Sequence, residues 1–274
     1  MAKQAMSHLS GWLLLGVALL VAIEANAQKP DRSIQEVLRQ LRANMDSSVS
    51  KLPDVFCDEH LDSYEGRDGK VRHEVTVDSV IEARRQSGDS EEFAEERHVN
   101  LLNGKPSEGR QRIDLQFSIA GGFGSVFRSY VASDFEQCNQ YKLLPSPDAG
   151  SHLISLEVRR NGGARGVKPC AGLNFSAFAT LWLDAETLDI QRFQMVIPNA
   201  HLPHGFDVVK STTDYRLVPL GAKSYLLPAK VHATATKPGG SDELVYDADY
   251  KNCHRFGSSV RILTGTEPDA EKPQ

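Results

Sequence analysis

The chain has few aromatic residues, no excess of positive charge and only one long apolar segment. Aromatic residues make up 7% of its 274 residues, and 31 Lys and Arg face 36 Asp and Glu, a formal net charge of −5. Nucleic-acid-binding proteins normally carry a basic face that neutralises phosphates, so this charge argues against such a partner. A hydrophobic content of 40% is typical of globular proteins and argues against disordered, collagen-like or multi-span membrane chains.

Several motifs that identify enzymes are also missing. No two cysteines are spaced as C-x-x-C and no G-x-S-x-G element is present, so neither a dithiol redox site nor a serine nucleophile is indicated. The glycine-rich residues 119–125 lack the order and the G-K-S/T ending of phosphate-binding loops. No internal repeat of fixed period occurs. We therefore expect a protein that is not an enzyme, with no cofactor and no metal.

The one long apolar run predicts a signal peptide. Lys3 supplies a short positive start, Trp12–Ile23 has the length of a signal-peptide core, and Ala25-Asn26-Ala27 matches the small-x-small cleavage pattern. We place cleavage after Ala27, and the alternative is an uncleaved N-terminal anchor. No cysteine directly follows the run, which disfavours a lipid anchor. The expected product is an exported protein, periplasmic or extracellular, without a stable membrane span.

Four cysteines follow the predicted leader: Cys57, Cys138, Cys170 and Cys253. An even number in an exported chain indicates two disulfides, for which three pairings exist. A Cys/His zinc site is the alternative, and the wide spacings disfavour it. We favour Cys57–Cys253, which would tie the first strand to the last, and Cys138–Cys170, which would close a shorter loop.

The pattern of apolar residues predicts one domain over residues 28–263, followed by a polar, disordered tail over residues 264–274. An amphipathic helix is expected over residues 33–50, where apolar residues recur every three or four positions behind an S-x-x-E capping box. From Val55 onward the period changes to two, the mark of half-buried strands. Strand signals occur at residues 71–82, 93–102, 112–118, 138–144, 152–159, 175–183, 190–197, 209–217, 224–236 and 243–256.

Turn signals join these strands into a meander. Asn103-Gly104 is typical of a two-residue hairpin that needs positive φ, and a short helix is expected over residues 125–131. The fold class is therefore mainly β with some helix (α+β). We expect an N-terminal amphipathic helix packed on a curved antiparallel sheet, a half-barrel or open barrel.

Two groups of residues could bind a metal or transfer protons. In Asp58-Glu59-His60 only Asp58 and His60 would share a strand face, and a solvated strand surface is the simpler interpretation. His201 and His204 have the H-x-x-H spacing of helical metal ligands, but Pro203 between them favours a loop.

A third group lies around a predicted hairpin. Asp184 and Glu186 are paired carboxylates, but Asp in such a turn commonly bonds its own backbone, so acid–base chemistry is the less favoured interpretation. Trp182 is opposite in phase to Leu181 and Leu183, so both faces of this strand carry large apolar groups. With the helix on one face, Trp182 on the other is the candidate contact for a hydrophobic ligand.

The run Ala179–Phe193 (ATLWLDAETLDIQRF) resembles the strand–turn–strand of periplasmic lipoprotein carriers and RseB-type sensors, the LolA/RseB-like superfamily. Residues 52–57 (LPDVFC) and 225–228 (YLLP) resemble uncharacterised secreted proteins of acidobacteria. The resemblance implies a half-barrel sheet that cups helices and binds acyl chains or a partner protein on a concave apolar face. It implies no catalytic or binding residue.

Three functional hypotheses remain. The first is a non-enzymatic envelope protein that binds a lipid, a lipoprotein or a partner protein on its concave apolar sheet face. The second is a secreted hydrolase or metal-dependent enzyme that uses Asp58, His60, His201 or His204. The third is a structural adaptor whose sheet edge takes up a peptide strand. A deep apolar cavity would favour a carrier, and a filled core would favour an adaptor.

Overall fold

The structure, a computed structural model, describes residues 32–49, 51–68, 70–85, 93–107, 113, 115, 117–119, 123, 125–144, 151–160, 170, 177–198, 205–240 and 242–256. The expected leader and tail lie outside these ranges, and so do His201 and His204. In the ranges described, every helix is too short or too polar to cross a membrane. The described residues from Ile34 onward belong to one compact unit.

The N-terminal helix α1 spans Ile34–Val49, close to the expected range. Its apolar stripe is the side that packs against the rest of the molecule, while Gln35, Glu36 and Arg39 remain exposed. The buried residues of the stripe are Val37, Leu38, Leu41 and Met45. An amphipathic helix of this kind is stabilised mainly by burying its apolar stripe rather than by its own hydrogen bonds.

Eleven strands form one antiparallel sheet. Their bounds are β1 Val55–Arg67, β2 Lys70–Arg85, β3 Phe93–Leu102, β4 Lys105–Pro106, β5 Asn139–Leu144, β6 Leu153–Arg160, β7 Ala177–Asp184, β8 Ile190–Pro198, β9 Val208–Leu220, β10 Lys223–Thr236 and β11 Asp242–Arg255. The order across the sheet is β4-β3-β2-β1-β11-β10-β9-β8-β7-β6-β5. Strands that follow each other in the chain are paired, except that β4 and β5 form the two edges of the sheet. The pairing of β1 with β11 brings the two ends of the domain together. The sheet is not closed, which confirms the mainly β fold class and its open form.

Two short helical segments precede β5. Helix α2 spans Ser125–Val131, as the sequence predicts, and a 3-10 helix that the sequence analysis missed follows over Ser133–Cys138. The hairpin at Asn103-Gly104 is confirmed, because both residues have positive φ, 49° and 73°.

The strand expected at residues 112–118 is wrong for the residues that the structure describes there. Ile113, Leu115 and Phe117 lie outside any strand, although they alternate as strand residues do. All three pack against the hydrophobic core, with Phe117 8% exposed. These alternating apolar residues therefore cover one face of the sheet and do not belong to a strand that pairs with a neighbour.

One face of the sheet, which we call the inner face, holds the core. Residues directly opposite each other on paired strands share a face, and one inner row crosses six strands. That row is Leu181, Phe193, Thr213, Val231, Ala248 and Leu61. Tyr130 of α2 packs on Phe193 with ring centroids 5.5 Å apart, so the helices lie on this face. The other face is called the outer face below.

Candidate functional site

A groove lies between α1 and the inner face of the sheet. Helix α1 supplies one wall, and the segment leading into β8, together with β9 and β10, supplies the other. The lining residues are Leu41, Asn44, Met45, Ser48, Leu52, Phe123, Leu188, Asp189, Ile190, Tyr215 and Leu226. Most of the apolar ones are buried, whereas Asn44, Ser48 and Asp189 are half-buried. The groove is therefore apolar at its floor and polar toward solvent.

The groove is narrow. Its cavity volume is about 20 Å³, and the space between its walls, counted together with open solvent, is about 430 Å³. A cavity volume of this size holds little more than one water molecule. The core beneath α1 is thus mostly filled, and the deep cavity that would indicate a large internal ligand is not seen among the described residues.

Exposed apolar surface continues the groove at one end. Leu217 is 57% exposed and lies directly opposite the groove residue Leu226 on the neighbouring strand. Directly opposite residues point to the same side of a sheet, so Leu217 extends the apolar lining toward solvent. Tyr215 lies two residues before it and is buried, and this burial raises the pKa of its phenol, which stays neutral.

Polar contacts hold α1 in place on both sides. Asn44 donates from Nδ2 to the Thr187 carbonyl at 2.7 Å and to Asp189 Oδ1 at 3.2 Å, which ties the helix to the turn before β8. On the other side Arg42 donates from Nε to the Val131 carbonyl at 2.7 Å, and its Nη1 lies 3.0 Å from Glu136. The helical wall is consequently fixed at two points.

The inner face of β1, β2, β3 and β11 carries a cluster of polar side chains among buried apolar residues such as Leu61 and Val77. Glu59, whose side chain is fully buried, accepts hydrogen bonds from Arg97 Nε at 2.5 Å, Arg97 Nη2 at 2.9 Å and Ser79 Oγ at 2.6 Å. Arg97 also donates to Tyr246 Oη at 3.0 Å. Burial opposes the charge of Arg97, but its hydrogen bonds to Glu59 outweigh this and raise its pKa.

Aromatic packing covers part of this polar cluster, and Arg97 remains 23% exposed. Phe123 lies edge-on to Tyr250 with ring centroids 5.8 Å apart, and its backbone N–H donates to Glu95. Burial raises the pKa of Tyr250 well above that of a free phenol. Because the buried Glu59 carboxylate accepts three hydrogen bonds from residues on two other strands, the cluster serves to hold the strands together.

Asp58 and His60 do lie on one face, the outer face of β1, but each has a different partner. His60 Nδ1 is 2.6 Å from Asp78 and its Nε2 is 3.6 Å from Asp62, whereas Asp58 accepts a hydrogen bond from Asn252 at 2.8 Å. The hydrogen bond to Asp78 raises the pKa of His60 despite partial burial. The two side chains are therefore parts of separate surface pairs. The expected partners His201 and His204 lie outside the described residues.

The other predicted residues are placed as follows. Asp184 Oδ1 accepts from the backbone N–H groups of Glu186 and Thr187, both at 2.9 Å, so this carboxylate stabilises its own turn. Trp182 is half-buried on the outer face, directly between Ser155 and Arg192, and is not among the groove residues. The glycine-rich residues 119–125 are only partly described.

The structure contains the two disulfides that the sequence analysis favoured. Cys57 is bonded to Cys253, which joins β1 to β11, and Cys138 is bonded to Cys170. No free cysteine occurs. The first disulfide lies beside the polar cluster around Glu59. Cys138 of the second disulfide lies directly before β5.

Sequence reasoning missed one group that could hold a metal. Glu82 on β2 and Glu96 and His98 on β3 share the outer face, and one ligand atom from each lies within 4.8 Å of the other two. The hydrogen bond from Arg84 lowers the pKa of Glu82 although its carboxylate is buried. The E-x-H spacing of Glu96 and His98 on an alternating strand was the available signal, but the pairing of β2 with β3 was needed to add Glu82.

Comparisons with known proteins give only remote similarities. No family model and no curated protein sequence matches the chain. Among solved structures, a DUF1329 family protein from Desulfovibrio piger is similar at 14% identity and a TM-score of 0.39, covering 81% of this chain and 92% of that one. A LolA superfamily protein from Nitrosomonas europaea is similar at 12% identity and a TM-score of 0.36, covering 85% and 98%. At these values no function, ligand or residue is transferred.

Proposed function

We propose that this chain is an exported, non-enzymatic protein that binds the acyl chain of a lipid or lipoprotein in the groove beneath α1. The observation that carries the proposal is the division of the groove into a buried apolar floor and a half-buried polar mouth. An acyl lipid has the same division, with an apolar chain joined to a polar head. The head would lie near Asn44, Ser48 and Asp189.

The mostly filled core by itself favours the adaptor hypothesis, so binding of an acyl chain requires the chain to displace side chains as it enters the groove. Met45 and Leu226 line it, and Met is the most adaptable of the apolar side chains because it is unbranched and flexible. Each methylene removed from water contributes about 0.8 kcal/mol, so burying six of them supplies about 5 kcal/mol. The exposed Leu217 gives the remainder of the chain an apolar surface that continues the groove next to Leu226.

Three further observations support the export and binding parts of the proposal. Two disulfides are typical of proteins that fold in an oxidising compartment. Asp58 and His60, the described residues proposed for an enzyme, are bonded to different partners and do not form one site. The resemblance of residues 179–193 to periplasmic carriers implies the same kind of ligand.

Titration with cis-parinaric acid, an acyl chain whose fluorescence rises in an apolar site, tests the proposal. The wild-type chain should bind it saturably, with one site per chain. Leu226→Asp and Leu217→Asp each place a charge along the path of the chain and should weaken binding by at least about tenfold. Val71→Asp is the matched control, because Val71 is 56% exposed and lies on β2, away from the groove.

Absence of saturable binding would contradict the proposal, and so would equal loss in the Val71→Asp control. Competition identifies the natural ligand class. Displacement of the probe by lysophospholipid is the expected result. Displacement by an apolar peptide but by no lipid would assign the groove to a protein partner instead and would overturn the lipid proposal.

A further inference from the structure

We propose that Glu82, Glu96 and His98 on the outer face of β2 and β3 form a binding site for one divalent metal ion of the zinc type. The site lies on the opposite face from the groove and does not depend on the function proposed for it. It joins β3 to β2 near one edge of the sheet.

Strand register places two carboxylates against each other. Glu82 lies directly opposite Glu96 in the β2–β3 pair, and His98 is the next outer-face residue along β3. Like charges directly opposite each other on neighbouring strands destabilise a sheet. A cation between them reverses this effect, because each carboxylate then faces a positive charge.

The observed distance between two of the groups suits a tetrahedral metal. His98 Nε2 lies 3.3 Å from Glu82 Oε2. With metal–nitrogen and metal–oxygen bonds of about 2.1 Å, this separation gives an angle at the metal of about 105°, close to the tetrahedral value. Glu96 is exposed and has a carboxylate oxygen within 4.8 Å of the other two ligand atoms, so a change of its side-chain rotamer can complete the three ligands.

A neighbouring arginine holds the buried ligand in the required orientation. The Glu82 side chain is only 8% exposed, and its Oε1 accepts a hydrogen bond from Arg84 Nε at 2.6 Å. Oε2 is thereby directed toward His98 and is the atom free to exchange a hydrogen bond for a metal. Carboxylate ligands oriented by a second hydrogen-bonding residue are the rule in metal sites.

The donor set identifies the class of ion. Two carboxylates and one imidazole suit Zn²⁺ and neighbouring first-row ions, whereas Ca²⁺ and Mg²⁺ prefer oxygen ligands alone. Three protein ligands leave at least one position for water. The structural effect of such an ion is to fasten β3, which among the described residues has only the two-residue β4 on its other side.

Isothermal titration of the untagged, chelator-treated protein with Zn²⁺ is the test, together with the visible absorption of Co²⁺ in the same site. We expect one ion per chain, and a thermal midpoint that rises with Zn²⁺ in the wild-type protein. His98→Ala should weaken Zn²⁺ binding by at least about tenfold and abolish the rise in thermal midpoint. Glu96→Gln is the second variant, since Glu96 is exposed and its replacement leaves the fold intact.

Two controls make the result decisive. His232→Ala removes another outer-face histidine with a carboxylate partner, Asp247 at 2.6 Å, and should bind Zn²⁺ as the wild type does. His204→Ala should also bind normally. No saturable binding by the wild type overturns the proposal, and so does binding that is unchanged in His98→Ala and Glu96→Gln.

Discussion

The two regions of the inner face differ in the polar groups that they bury. Beneath α1 and α2, the inner residues of β6, β7 and β8 are mainly apolar, with Leu156, Leu181 and Phe193 at 0–1% exposure, and Arg160 of β6 is the buried charged residue among them. On β1, β2 and β3 the same face carries the buried ion pair of Glu59 and Arg97. We call these the apolar region and the polar region.

The difference follows from what covers each region. An amphipathic helix offers a broad apolar stripe and satisfies its own backbone groups, so the sheet beneath it needs only apolar side chains. The polar region is covered by Phe117 and Phe123, which both lie outside helix and strand. A covering segment of this kind brings backbone polar groups to the interface, as the contact of Ser63 Oγ with the Phe117 carbonyl shows. The apolar region is therefore the one that can exchange side-chain contacts for those of an apolar ligand.

Removing the disulfides should have the largest effects on the free energy of unfolding. The disulfide beside the polar region should contribute more than the one before β5. In the chain-entropy description, a bond between residues 196 positions apart contributes about 5 kcal/mol and one between residues 32 apart about 4 kcal/mol. Replacing both Cys57 and Cys253 by alanine should cost more free energy of unfolding than replacing Cys138 and Cys170. Denaturant unfolding of the two double variants measures this, and the reverse order would contradict the account.

Breaking the buried ion pair of Glu59 and Arg97 should lower the free energy of unfolding by nearly as much as removing a disulfide. Glu59→Gln keeps the shape of the side chain but leaves the charge of Arg97 unpaired inside the protein, which costs about 3–5 kcal/mol. The double variant Glu59→Leu with Arg97→Leu should recover most of that loss, because no buried charge remains. Urea unfolding provides the values.

An exposed pair serves as the control for this experiment. Lys230, 66% exposed, contacts Asp249 at 3.0 Å, and Lys230→Gln should cost less than about 1 kcal/mol. If Glu59→Gln costs no more than this control, the polar region does not depend on its ion pair.

The stability lost when a side chain of the apolar region is replaced should depend only on the side-chain volume that is removed. Leu181→Ala removes a fully buried side chain from the row that faces the helices and should cost about 2–5 kcal/mol. Leu181→Met keeps the volume and should cost less than about 1.5 kcal/mol. Thermal or denaturant unfolding measures both. Equal losses in the two variants would show that this region is not a close-packed apolar core.

A smaller effect is expected from pH, and it comes from the outer face. The pKa of His60 is raised above its ordinary 6.5, mainly by the hydrogen bond to Asp78 and also by the charges of Asp62 and Asp249. A raised pKa in the folded state stabilises the fold below pH 6.5, and this contribution is lost as the pH rises through the raised value.

The thermal midpoint of the wild type should therefore fall, relative to His60→Gln, as the pH rises through and above 6.5. His152→Gln is the control, since His152 is exposed on the segment before β6. If His152→Gln flattens the pH dependence as much as His60→Gln does, the His60–Asp78 pair is not its source.

Much of the fold could be predicted from the sequence because its signals are local. The period-two alternation located most strands, the Asn103-Gly104 turn located a hairpin, and the stripe from Val37 to Met45 located α1. Residues 112–118 were assigned wrongly because covering a sheet and pairing in a sheet select the same alternation of apolar residues.

The candidate sites were harder to predict because they combine residues distant in sequence. The groove brings Met45 beside Tyr215 and Leu226, and only the meeting of β1 with β11 places both ends of the domain on one sheet. Trp182 was chosen as a ligand contact from its phase relative to Leu181. Phase alone distinguishes the two faces of a strand but does not reveal which of them is opposite a groove.

The most direct test of the central proposal is quenching of tryptophan fluorescence by a brominated fatty acid, which requires contact between the bromine and the ring. In the protein that starts after the expected cleavage site at Ala27, Trp182 is the single tryptophan and reports on the outer face. A second variant, with Ser48→Trp and Trp182→Phe added, reports on the mouth of the groove. We predict saturable quenching in the Ser48→Trp variant and none at Trp182. Quenching at Trp182 with none in the Ser48→Trp variant would contradict the proposal and would assign the ligand to the outer face.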